Sequence, residues 1–77
     1  MHVRVKFIGI PEAGIDRGGV AAEIPEGSTV EGMLISVMGD SKPYKTMNFI
    51  VNKSMASLET VLKENDEVMV LRVLAGG

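Results

Sequence analysis

None of the 77 residues is a cysteine, and that absence decides how this chain must hold itself together. A domain so short sits near the lower limit of what one hydrophobic core sustains, and proteins of this size often rely on disulfides or a metal. Neither a disulfide nor a thiolate-ligated metal is available here. Regular elements around one apolar core must supply the stability, and two domains are excluded. Iron–sulfur clusters and thiol catalysis are removed by the same absence, which also fits a reducing compartment. The composition allows such a core, since 45% of the residues are hydrophobic, 23% are charged and three are proline, the profile of a folded domain. A net charge of −2, with eight Lys and Arg scattered along the chain, offers no concentrated basic surface, so nucleic acid is not expected as a partner.

Met1 to Ile8 alternates charged and apolar side chains, whereas a secretory signal needs an unbroken apolar stretch after its basic start. No apolar run approaches the roughly 20 residues of a bilayer span. The expectation is a soluble, cytoplasmic protein with no membrane partner. Asn52-Lys53-Ser54 matches a glycosylation acceptor, but it reads as a turn.

Val3, Val5 and Phe7 share one parity and Arg4 and Lys6 the other, the period of a strand with one face in the core. Gly9 to Gly19 breaks into Gly9, Pro11, Gly14, Gly18 and Gly19, a loop long enough to be mobile. Val20, Ala22 and Ile24 recover the alternation and predict a hairpin with the first strand. Pro25-Glu26-Gly27-Ser28-Thr29 reads as a stop and a helix start, with Ser28 as N-cap and Glu31 completing a capping box. Val30, Met33, Leu34, Val37 and Met38 then form one buried helical stripe, ended by Gly39-Asp40. Gly32 weakens that helix by up to about 1 kcal/mol, so it depends on docking against the sheet. Ile35 lies off the stripe. Ser41 to Asn48 reads as a crossing loop and Phe49 to Val51 as a strand closed by an Asn52-Lys53 turn. Ser54 to Thr60 predicts a short edge strand and turn, and Leu62 a core plug. Lys63 to Asp66 is a polar turn in which Asn65 takes positive φ, before a last strand over 67–73. One helix against one mixed sheet is an α+β roll.

The last strand is apolar on both faces. Val68 and Val70 face the core, while Met69, Leu71 and Val73 share the outward parity of Glu67. Burying the three outward side chains would contribute roughly 1.5 to 3 kcal/mol each, against an association cost of about 4 to 15 kcal/mol, a balance that suits a transient docking patch. The chain then ends Leu74-Ala75-Gly76-Gly77, a slim segment that reaches about 13 Å when extended, enough to enter a narrow channel. An α-carboxylate, with a reference pKa near 3.5, is ionised at neutral pH and unreactive until something activates it.

With these features the whole chain resembles the β-grasp sulfur carriers of the MoaD/ThiS family, relatives of ubiquitin. The resemblance is strongest from Val51 to Gly77, through Val51-Asn52, Leu62 to Val68 and the terminal Ala75-Gly76-Gly77. It implies a β-grasp roll, a mixed four- to five-stranded sheet packed on one main helix, with residues 1–73 as the domain and 74–77 as a flexible Gly-Gly tail. It further implies that an activating enzyme adenylates the Gly77 carboxylate with ATP and that a sulfurtransferase replaces AMP to leave a thiocarboxylate. Gly76 and Ala75 would thread the partner's active site while Met69, Leu71 and Val73 dock on its body, with Leu74 also among the partner-binding residues. The recipient would be a molybdopterin synthase large subunit or a thiazole synthase. Arg72-Val73 stands where the molybdopterin subunit usually carries a proline pair and looks more like the thiamin carrier or ubiquitin. The length and the Gly9 to Gly19 loop favour the pterin branch, molybdenum or tungsten.

The chain itself is not expected to be an enzyme or to bind a cofactor. Its single histidine, His2, sits at the chain end, and Ile15-Asp16 occupies the place where a phosphate loop needs Lys and Ser or Thr. Met33 and Met38 read as core filling. A ubiquitin-like modifier conjugated through Gly77 and a plain binding module are the competing expectations.

Overall fold

The computed structural model describes residues 1–15 and 18–72. Five strands, β1 (His2–Ile8), β2 (Val20–Glu23), β3 (Asn48–Val51), β4 (Ser54–Ala56) and β5 (Glu67–Leu71), join in one sheet of order β2-β1-β5-β3-β4. The central β1–β5 pair is parallel and every other pair is antiparallel. One helix, α1 (Val30–Met38), lies between β2 and β3 in sequence. This is the β-grasp roll, at the upper strand count of the sequence reading.

The period-two signal of β1 becomes burial of Val3, Val5 and Phe7, and Val68 and Val70 of β5 are wholly inaccessible beside them. From α1, Val30, Met33 and Leu34 enter the same cluster, with Val37 and Met38 partly buried against it. Leu62 fills the core as expected. No helix among the described residues is long and apolar enough to cross a membrane.

The helix start differs from expectation by one residue. Thr29, not Ser28, is the N-cap, and its Oγ1 accepts the Gly32 N–H at 3.2 Å. Ser28 instead donates its hydroxyl to the Pro25 carbonyl at 2.6 Å. With the cap moved, Glu31 cannot close a capping box, and its Oε2 accepts from Ser41 Oγ at 3.1 Å and pairs with Lys45 Nζ at 3.6 Å. The cause is register: the Val61–Thr29 bridge and the Leu62 N–H to Ser28 carbonyl bond hold Ser28 and Thr29 in extended pairing, so helical geometry begins only at Val30. The far end follows the sequence signal, with Gly39 at φ +84° returning its N–H to the Ile35 carbonyl.

Two segments read as loops also contribute to the core. Ile10 is buried, and a 3-10 turn over Pro11–Ala13 follows it, so the start of the β1–β2 connection is anchored and not free. Tyr44, within a second 3-10 turn at Lys42–Tyr44, is buried with its ring 5.5 Å from that of Phe7. The strand expected over 67–73 ends at Leu71, Arg72 lies outside it, and Val73 falls beyond the described residues.

Two polar turns lock the sheet's end. Asn52 and Lys53 both take positive φ, the two-residue hairpin geometry joining β3 to β4. Asn52 donates through Nδ2 to Asp66 at 2.7 Å and accepts the Glu67 N–H at 2.9 Å. The second Asp66 oxygen accepts the Lys63 N–H at 2.8 Å, so this buried carboxylate is satisfied on both sides.

Candidate functional site

Paired residues of adjacent strands share a face, so the register defines what the sheet presents away from α1. Ile8 pairs with Leu71, Lys6 with Met69, Met69 with Ile50, and Ile50 with Met55. Ile8, Leu71, Met69, Ile50 and Met55 therefore form one apolar belt crossing four strands on the outer face. Ile8 is 39% exposed and Met55 72%, while Ile50, Met69 and Leu71 are half-buried. None of the five belongs to the buried core cluster or to the hydrophobics packed against it, which lie on the opposite side. A contiguous exposed apolar patch marks an interaction surface.

Of the residues expected to dock, the structure places Met69 and Leu71 at the centre of this belt. Val73, with Leu74, Ala75, Gly76 and Gly77 of the proposed reactive tail, lies outside the described residues. Ile8, Ile50 and Met55 were missed by the sequence reading. Ile8 sits at the end of a strand whose outward side chains are otherwise polar. Ile50 lies in an unbroken apolar triplet whose inward parity cannot be read without its partner strand.

The belt's rim is polar. Asn52, Lys53, Glu67 and Met69 line a shallow cleft of about 320 Å³ beside it, and Lys6 flanks Met69 on the other side. At the far end of β1, His2 is gripped by Glu64, which accepts the His2 N–H at 2.9 Å and meets Nδ1 at 3.2 Å, while Glu23 stands 3.9 Å from Nε2. That backbone N–H, and then the imidazole, hold the Glu64 carboxyl below its ordinary value of 4.5. Among the described residues no group of three His, Asp or Glu side chains is arranged to hold a metal. The site offers, among the described residues, apolar area rimmed by Lys6, Lys53 and Glu67.

The fold is shared with solved proteins of similar size. SAMP1 from Haloferax volcanii is 18% identical, with a TM-score of 0.77 over all of both chains. A Pyrococcus furiosus protein assigned as subunit 1 of a molybdopterin converting factor is 23% identical, with a TM-score of 0.74 over 96% of this chain and 99% of the other. Urm1 from Trypanosoma brucei is 17% identical, with a TM-score of 0.67 over 99% and 95%. These likenesses show the ubiquitin-like β-grasp fold. No curated protein matches the sequence. The ThiS family model matches residues 5–77, from the first strand through Gly76-Gly77. By that match over nearly its whole length, the chain belongs to the ThiS family.

Proposed function

We propose that this protein is a sulfur carrier whose Gly77 carboxylate is converted to a thiocarboxylate by other enzymes. The observation that carries the reading is the family match extending through the terminal glycines, on a body that presents an apolar belt along its last strand. The chemistry needs two steps. The carboxylate attacks the α-phosphorus of ATP and releases pyrophosphate, giving an acyl adenylate. Hydrosulfide-level sulfur then adds at the activated carbonyl, AMP leaves with the bonding pair, and the thiocarboxylate remains. Adenylation supplies the leaving group that an ionised carboxylate lacks. Met69 and Leu71 hold the activating enzyme, and Ala75 and Gly76, without bulky side chains, let Gly77 reach its nucleotide. Having no cysteine, the carrier has no thiolate of its own to capture the activated carbonyl.

The recipient in this reading is a pterin dithiolene-forming synthase, with a thiazole synthase second. Incubation with the activating enzyme, ATP and a sulfur donor should add the mass of one oxygen-to-sulfur exchange at Gly77, located by fragmentation. An unchanged C-terminus under conditions that charge a known family member would overturn it. The likeness to the modifier-named SAMP1 favours a second reading, conjugation through Gly77. Recovery of Gly77 in amide linkage to lysines of other proteins would support that role.

A further inference from the structure

The β1–β2 connection and the residue following β5 meet at one end of the sheet. Arg72 donates its backbone N–H to the Ile8 carbonyl at 3.3 Å, extending the parallel ladder by a rung. Its Nε donates to the Gly9 carbonyl at 3.0 Å, and its Nη2 is ion-paired with Glu12 Oε2. Gly9, at φ +72°, makes the left-handed turn that leads the chain out of β1 at this point. Glu12 is carried on the 3-10 turn Pro11–Ala13, closed by the Gly14 N–H to the Pro11 carbonyl at 3.1 Å. The buried Ile10 pins that turn to the core. One guanidinium thus grips a carbonyl and a carboxylate on an anchored segment, using a planar set of donors that lysine does not have.

From this geometry we propose that Glu12 and Arg72 form a positioning clamp. It fixes the point and direction in which the chain leaves the sheet, so that the reactive end reaches a docked partner's reaction centre in a set orientation. Both side chains are well exposed, 39% for Arg72 and 59% for Glu12, and a surface ion pair contributes little to fold stability. Its effect is therefore on orientation. Affinity for the partner resides in the apolar belt, whereas delivery of the carboxylate to ATP depends on how the tail starts out, and lost orientation is felt in the chemical step. The inference rests on the sulfur-carrier reading for its kinetic consequence, but not for its structural one.

The test compares wild type with Arg72→Glu, which sets two carboxylates side by side, and with the exchanged pair Glu12→Arg/Arg72→Glu. Glu12→Gln replaces Arg72→Glu if that variant does not fold. In the isolated chain, ¹⁵N relaxation of the backbone amides from Arg72 onward should report more fast motion in Arg72→Glu and recovery in the exchanged pair. In ATP–pyrophosphate exchange with the activating enzyme, Arg72→Glu should lower kcat about tenfold with KM within about twofold, and the exchange should restore most of it. Arg72→Lys, which keeps the ion pair but lacks the fork, should fall between. Identical relaxation in wild type and Arg72→Glu overturns the clamp, as does a loss confined to KM or one that the exchanged pair does not reverse. If the wild-type chain is not adenylated at all, the carrier reading fails, while the relaxation data still decide the clamp.

Discussion

The two faces of β5 are equally greasy and have opposite fates. Val68 and Val70 are wholly buried in the cluster that α1 joins, while Met69 and Leu71, on the same strand, are half-buried on the opposite face. The inner pair is explained by folding, since it belongs to the buried cluster that the helix stripe joins. The outer pair is not, because a solvated face of a sheet is ordinarily polar. The difference separates apolar area that the core uses from apolar area left on the outer face.

The most severe way to break the inner face is Leu34→Ala. The residue is fully buried, and the cavity should cost about 2 to 5 kcal/mol, much of the roughly 4 to 12 kcal/mol expected for a domain of this size. Denaturant titration checks this.

The outer face should respond in the reverse sense. Met69→Thr with Leu71→Thr keeps strand propensity and removes apolar area, so unfolding stability should change by less than about 1 kcal/mol. Binding to the activating enzyme, followed by titration calorimetry, should weaken on the order of a hundredfold. Equal losses of stability and affinity would show that the belt is a fold element after all.

A finer probe is the helix start. Thr29→Ala removes the cap that holds Gly32 and should cost about 1 kcal/mol. Ser28→Ala should cost less, and neither change should alter binding at the outer face.

The smallest effect belongs to the polar end of the outer face. Because the folded Glu64 carboxyl is held below its ordinary 4.5, its stabilising contribution is present above that pH and is lost as pH falls through the lower folded value. Glu64→Gln should therefore be less stable than wild type near neutrality. The difference in urea midpoint should shrink on acidification below about 4.5.

Most of the inner face was legible because periodicity reports it directly. The alternation of β1, the stripe of α1, the Leu62 plug and the positive φ of Asn65 all follow from local pattern. Ile10 and Tyr44 were not legible, since each is a single anchor in a stretch rich in turn residues, where burial is imposed by tertiary contact and no period exists to signal it. The cap moved from Ser28 to Thr29 for a related reason, as pairing with Val61 and Leu62 arrives from more than 30 positions later in the chain. The outer apolar belt was half legible. Met69 and Leu71 announced themselves by sharing the parity of Glu67, while Ile8, Ile50 and Met55 joined them only once the strand register was known.

The strand order carries one more consequence. β5 is the latest strand in sequence yet occupies the middle position, between β1 and β3. Until it slots into that gap, Ile8 and Ile50 stand on separate halves of an unfinished sheet and the belt does not exist. Only a molecule that has completed its architecture therefore displays a continuous outer surface.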